Sequence, residues 1–174
     1  KPLTTSDFAN WKVLNNPILS SDGKYSAFEI NPQKGDGSLV LKPTDGKKEE
    51  LIPRGYAASF SPESDYIVYK IKQPADSIRN AKKKKLKKDQ MPKDSIGIFV
   101  FKHRKTYKFP NLKQLSLPKE NAQWVAFLSD TKKAKKKQAK DDDAKTKKND
   151  DVSDQKSKLV LFHAATAIPF VSIT

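Results

Sequence analysis

The stretch Leu19-Ser20-Ser21-Asp22-Gly23-Lys24-Tyr25-Ser26-Ala27-Phe28 decides the fold, because the chain contains it three times. It returns as Phe60-Ser61-Pro62-Glu63-Ser64-Asp65-Tyr66-Ile67-Val68-Tyr69. One residue longer, it returns again as Leu117-Pro118-Lys119-Glu120-Asn121-Ala122-Gln123-Trp124-Val125-Ala126-Phe127. In every copy an apolar residue precedes a polar turn, and an aromatic then opens a strand-like run that ends in a second aromatic. A unit repeated every few tens of residues is the signature of a solenoid or propeller, in which each unit buries its apolar surface against its neighbours.

Around the first copy the sequence reads as four strands. Pro17 to Ser20 is followed by the turn Ser21 to Lys24, where Gly23 supplies positive φ. Tyr25 to Ile30 is the second strand, and the Pro- and Gly-containing segment Asn31 to Gly37 is a loop. Ser38 to Lys42 is turned by Pro43-Thr44-Asp45-Gly46 into a fourth strand at Glu50 to Ile52. The second unit repeats this plan with strands at Ser59-Phe60, Tyr66 to Ile71, Ile96 to Phe101 and Tyr107 to Phe109. The third uses Gln114 to Leu117, Trp124 to Leu128, Lys158 to Phe162 and Phe170 to Ile173. Tyr66-Ile67-Val68-Tyr69 is apolar on both faces, as a strand covered on both sides requires. A β-sandwich with buried central strands would satisfy that pattern too, but the whole-unit repeat favours an all-β, partial β-propeller of about three four-stranded antiparallel blades.

The expected organisation is a lead-in over residues 1–16, blade one over 17–54, blade two over 55–111 and blade three over 112–174. Ser6 or Asp7 is expected to cap a short helix through Phe8, Trp11 and Leu14. Phe28, Tyr69 and Phe127 are expected at equivalent buried positions.

The 174 residues carry a formal net charge of +15, most of it in two insertions. Residues 79 to 93 hold eight basic residues against one acidic, and residues 132 to 158 hold eleven Lys against six Asp. Both fall between a second and a third strand, so insertions 72–94 and 130–157 are expected on one rim. The first contains Ile78 to Leu86, which reads as a helix with little apolar surface. The second is low-complexity and offers almost nothing to bury, so it is expected to be mobile. A lysine run such as Lys82 to Lys88 attracts polyanions weakly. No interleaved aromatic is available to stack on bases, so the partner expectation is weak contact with anionic surfaces and no specific nucleic acid.

Chemistry is thinly supplied. No Cys is present, which excludes disulfides and Cys-ligated metal. No apolar run reaches the roughly 18 residues that span a bilayer, and the chain opens Lys1-Pro2-Leu3, the form a processed chain takes. The two histidines, His103 and His163, follow third strands at what look like matching turn positions, and no G-x-S-x-G elbow occurs. Asp22 and Asp36, or the clusters Asp141 to Asp143 and Asp150-Asp151, could be assembled into a cation site. Turn formation and neighbouring lysines explain them better. The sequence therefore nominates no catalytic, cofactor-binding or metal-binding residue and no cofactor.

Several stretches carry a resemblance. Asn10-Trp11-Lys12, Leu19 to Tyr25, Asn31 to Leu39, Ile52-Pro53-Arg54-Gly55-Tyr56 and Met91-Pro92-Lys93-Asp94-Ser95-Ile96-Gly97-Ile98 are the residues concerned. Through them the chain resembles the start of the β-propeller of prolyl oligopeptidase-type serine peptidases, and among these the secreted or periplasmic bacterial members. The Pro-Arg-Gly-Tyr and Met-Pro-Lys-Asp-Ser stretches are the more discriminating. The resemblance implies a non-catalytic propeller segment that caps a hydrolase domain and filters its peptide substrates. Its partners would be the remaining blades and that domain, in a periplasmic or secreted protein. No triad residue carries over. The competing expectation is a periplasmic propeller that serves as a binding scaffold.

Overall fold

The computed structural model describes Thr4, Asp7 and residues 11–87, 90–120, 123–130, 157–166 and 168–173. The first blade comprises β1 (Lys12–Leu19), β2 (Tyr25–Pro32), β3 (Ser38–Pro43) and β4 (Glu50–Pro53). The second comprises β5 (Gly55–Phe60), β6 (Tyr66–Ile71), β7 (Ser95–Val100) and β8 (Lys105–Phe109), with helix α1 (Ala75–Lys83) between β6 and β7. β9 (Leu112–Ser116), β10 (Trp124–Asp130), β11 (Ser157–His163) and β12 (Ile168–Ile173) form the third. Each blade is one four-stranded sheet of consecutive antiparallel strands. The chain is an all-β, partial propeller.

The register makes the repeat quantitative. Tyr25 pairs with Pro43, Tyr66 with Val100 and Trp124 with His163. Phe28, Tyr69 and Phe127 therefore occupy one equivalent position, opposite Val40, Gly97 and Val160. Period-two alternation on β6 then explains its unbroken apolar run. Ile67, Tyr69 and Ile71 pack with Leu39 and Leu41 of the first blade, whereas Tyr66 and Val68 pack with Val125 and Phe127 of the third. Blade two is covered on both sides, and the core is two inter-blade layers.

The recurring turn is held by its serine. Ser20 N–H donates to the Tyr25 carbonyl at 2.8 Å and its Oγ accepts the Tyr25 N–H at 2.9 Å. Ser61 does the same for Tyr66, at 2.9 and 3.2 Å. Gly23 has φ 70° and its counterpart Ser64 φ 59°, so the turn needs a left-handed residue in both copies. The Asp22 N–H donates to Ser64 Oγ at 3.2 Å, which fastens one blade's turn to the next.

The lead-in meets expectation in part: Asp7 is helical and its carboxylate accepts the Thr4 N–H at 2.7 Å, while Ser6 and Phe8 lie outside the described residues. Leu14 is in β1, which starts at Lys12 rather than Pro17, so residues 12–16 belong to blade one. The cause is a β-bulge between Asn15 and Ile18, where Asn16 takes φ 48°. One extra residue there puts Leu14 and Ile18, four residues apart, on opposite faces of the sheet, so the strand does not read as one alternating run. Phe28 also differs, being half-buried where Tyr69 and Phe127 are buried, because its face points away from blade two. Apart from Asp130 and Ser157, the insertion 130–157 lies outside the described residues. Among those described, no helix is long and apolar enough to cross a membrane.

Candidate functional site at the rim between blades two and three

The Pro53–Tyr56 stretch is the hinge from blade one to blade two. Arg54 adopts φ 62°, its N–H donates to the Gly37 carbonyl at 2.8 Å and its own carbonyl accepts the Lys72 N–H at 2.9 Å. A Cβ on Gly55 would lie 2.7 Å from the Leu39 Cβ, so only glycine lets the strands approach. The next hinge repeats the device. Asn111 has φ 57° and accepts the Asp130 N–H at 2.9 Å, while the Leu112 N–H donates to the Asp94 carbonyl at 2.7 Å.

The Met91–Ser95 stretch meets that first hinge. Tyr56, at the head of β5, donates its hydroxyl to Asp94 Oδ2 at 2.7 Å, across 38 residues of sequence. The other carboxylate oxygen accepts the Gln73 N–H at 3.2 Å, and the Gln73 amide donates to the Lys93 carbonyl at 2.5 Å. Burial, reinforced by the hydrogen bond to Asp94 and its charge, pushes the Tyr56 phenol well above its ordinary pKa, so it stays a donor. The two stretches quoted for the family resemblance thus form one hydrogen-bonded knot.

Lys93 carries the knot to the third blade through an ion pair with Asp130, which is 7% exposed and also accepts the Ser157 hydroxyl at 2.9 Å. Burial opposes the Asp130 charge, but hydrogen bonds from Lys93 and Ser157, with the charges of Lys93 and Lys113, outweigh it and hold the carboxyl below its usual pKa. Helix α1 closes one side. Its Ala75 N–H is capped by Asp36 Oδ1 at 3.0 Å, and Lys82 and Lys83 sit in its last turn, where the helix dipole favours cations. Ala81 is its one buried residue, in line with the scant apolar surface of the sequence.

Between these elements lies an open cleft of about 510 Å³, lined among others by Tyr56, Lys70, Ile78, Lys93, Asp94 and Lys113. Its counterpart between blades one and two is filled by Glu29. That carboxylate, 5% exposed, accepts the Ala57 N–H at 2.9 Å, the Asn16 amide at 3.0 Å and the Asn31 amide at 3.3 Å. Desolvation raises its pKa, yet these donors and the Lys72 charge win and the net shift is downward. The register places Lys70 where blade one has Glu29, so a cationic cleft replaces a sealed carboxylate.

The sequence-singled residues fall elsewhere. His163 is the last residue of β11 and is equivalent to Val100, so His103, three residues beyond Val100, is not its counterpart as expected. His163 Nδ1 lies 2.9 Å from Thr166 Oγ1 and accepts the Thr166 N–H at 3.2 Å, the geometry of a turn. Asp22 accepts the Ser20 hydroxyl at 2.7 Å and the Lys24 N–H at 3.1 Å, which hold its pKa down to about 2. Among the described residues no group of three or more His, Asp or Glu is placed to hold a metal ion, and Asp141 to Asp143 and Asp150-Asp151 lie outside them. Neither Glu29 nor the Tyr56–Asp94 pair was found from sequence. An acid inside the apolar run Ala27-Phe28-Glu29-Ile30 was the available signal for Glu29.

Among the described residues, twelve strands in three stacked blades, joined by rim hinges, define a propeller arc. No family model matches the chain, and no curated protein is similar to it. Among solved structures it is similar to the β-propeller domain of the Trilobed protease from Pyrococcus furiosus, with TM-score 0.50 and 10% identity, over 93% of this chain and 43% of that one. It also aligns with Pyrococcus horikoshii acylaminoacyl peptidase, with TM-score 0.47 and 12% identity over 95% of this chain and 26% of that one. A eukaryotic initiation factor aligns with TM-score 0.48 and 12% identity, over 94% and 33%. The chain spans less than half the length of each, and at these identities the likeness is one of fold.

Proposed function

We propose that this chain is a non-catalytic propeller segment of a prolyl oligopeptidase-like serine peptidase, exported to the periplasm or secreted, whose rim filters peptides on their way to a hydrolase domain. The observation that supports this most is the Tyr56–Asp94 bond, because it joins the two discriminating stretches of the resemblance at one rim. The cleft beside it offers the Lys70 and Lys113 side chains and the edge of Tyr56 to an extended peptide's carbonyls and carboxylates. Filtering needs only such a lined entrance; bond cleavage needs a nucleophile, an oriented base and an oxyanion hole together. His163 is committed to a turn with Thr166 and Gln123.

The test treats the 174-residue chain and the complete polypeptide that contains it with a fluorophosphonate and a proline-containing chromogenic peptide. Labelling and turnover by the complete polypeptide alone are expected. Failure of the complete polypeptide to label overturns the reading. So does labelling of the 174-residue chain that His103→Ala or His163→Ala abolishes.

A further inference from the structure

We infer that the cleft between blades two and three is a carboxylate-binding site, whose ligand is a peptide carboxylate standing where blade one supplies Glu29 from its own chain. That the ligand is a peptide rests on the peptidase reading; the preference for a carboxylate rests on the geometry alone.

The neighbouring interface shows how this niche looks when it is closed. Glu29 reaches from β2 to β5 and accepts the Ala57 N–H at 2.9 Å, and the Asn16 and Asn31 amides donate to the same carboxylate. The register replaces all three side chains in blade two: Lys70 stands for Glu29, Ala57 for Asn16 and Lys72 for Asn31. One methyl group and two cations take the place of a carboxylate and two amides. The space that Glu29 fills in one interface is therefore open in the next, as the cleft of about 510 Å³.

The walls of that cleft hold donors and lack an acceptor for them. A bulge leaves its extra residue outside the strand ladder. In β5 that residue is Ala57, whose N–H Glu29 takes; in β9 it is Lys113, at the wall of the cleft. The Lys113 ammonium donates to Ser157 Oγ at 3.0 Å, a neutral acceptor that leaves its charge uncompensated. Lys72 Nζ lies 4.8 Å from the centre of the Tyr56 ring and adds positive charge at the edge. The acids at hand are already taken. Asp94 accepts the Tyr56 hydroxyl and the Gln73 N–H, and Asp130 pairs with Lys93. Half-buried Lys70 makes no ion pair among the described residues. An anion entering the cleft meets this charge with nothing to displace. Ile78, Pro92, Leu112 and Leu115 line the same space, so a carboxylate beside an apolar side chain fits both parts of it.

Calorimetric titration of the 174-residue chain tests this with three probes: N-acetyl-Ala-Ala-Leu as the free acid, the same peptide as its amide, and N-acetyl-Ala-Glu-Leu amide. The acid should bind at least about tenfold more tightly than its amide, the worth of one charge-assisted hydrogen bond. The third probe separates the two sources of a carboxylate. Affinity like that of the acid assigns the site to any peptide carboxylate, and affinity like that of the amide assigns it to the C-terminus. Lys70→Met should reduce the acid to the level of the amide, and Lys70→Glu should abolish binding by restoring the arrangement of Glu29. Circular dichroism checks each fold, with Lys70→Gln as the gentler variant. Lys108→Met, an exposed lysine outside the cleft, should change nothing. Equal affinity for acid and amide, no binding of the acid up to about 10 mM, or an equal loss in Lys108→Met overturns the inference. Acid-selective binding, with no fluorophosphonate labelling of the complete polypeptide, leaves the site standing and removes the peptidase; labelling without acid preference removes the site alone.

Discussion

Gly97→Ala is the substitution that the stacked architecture should tolerate least. Gly97 sits on β7 opposite Tyr69, in the register position that the other blades give to Val40 and Val160. Comparison of the repeats would therefore recommend a larger residue. A Cβ built there lies 2.3 Å from Tyr69 Cε2 and 2.5 Å from Cζ, well inside contact distance. The ring is 1% exposed, with Leu39, Leu41, Ile67 and Phe99 in the same cluster and Thr106 beside its hydroxyl, so it has nowhere to swing. Overpacking of a tight core costs about 1–3 kcal/mol, and a pinned ring puts this site at the upper end. For a domain of this size each kcal/mol moves Tm by about 2–4 °C, which gives a fall of about 6–12 °C. Thermal and urea melts measure it. Gly46→Ala is the control: its φ of +78° is strained for alanine but its surroundings are open, so it should cost only about 1 kcal/mol. Tyr69→Leu should relieve part of the Gly97→Ala cost in a double-mutant cycle. A Gly97→Ala protein within about 0.5 kcal/mol of the parent, or costs that simply add, would refute the reasoning.

Three further expectations follow from the rim and the interfaces. The Glu29 carboxyl has a folded-state pKa below its ordinary 4.5, so its contribution is fully present above pH 4.5 and lost as pH falls through the folded value. Glu29→Gln should flatten the acid limb of the stability profile, and an unchanged limb counts against the buried-carboxylate account. Tyr56→Phe and Asp94→Asn should each cost about 1 kcal/mol and couple by a similar amount, because the pair shares one hydrogen bond; strict additivity in urea melts would disprove the knot. Binding to duplex DNA, driven by the lysines of α1 and its flank, should show no sequence preference and vanish by about 200 mM salt, so a tenfold preference that survives that salt in a filter-binding titration would reject it.

The blades were legible because their signal is local: a polar turn, then an apolar run opened and closed by an aromatic, said three times. The start of β1 was not, because the bulge at Asn16 puts Leu14 and Ile18 on opposite faces and breaks the alternation by which a strand is read. Phe28 was misjudged for a different reason. Repeat logic assigns equal burial to equal positions, and an end blade lacks the neighbour that would provide it. The histidines looked equivalent by distance from a strand, whereas pairing with Tyr66 and Trp124 shows that they are offset. The rim was beyond sequence pattern altogether. Tyr56 and Asp94 meet because β5 and the head of β7 flank β6 in one sheet, with the insertion 72–94 between them in sequence, and no periodicity encodes that return.

The two inter-blade layers have a consequence for cooperativity. Blade two belongs to both, so it cannot open without dissolving the whole core, whereas blade one or blade three can detach and leave the other two intact. Opening should therefore fray inward from the ends, with the slowest amide exchange on β6 and β7. The rim cleft has one wall on each side of the later layer, so it exists only while blade three is docked. Anything that fills the cleft acts as a clamp on that blade, and its occupancy would register as slower exchange along β10 and β11, beyond the strand it touches.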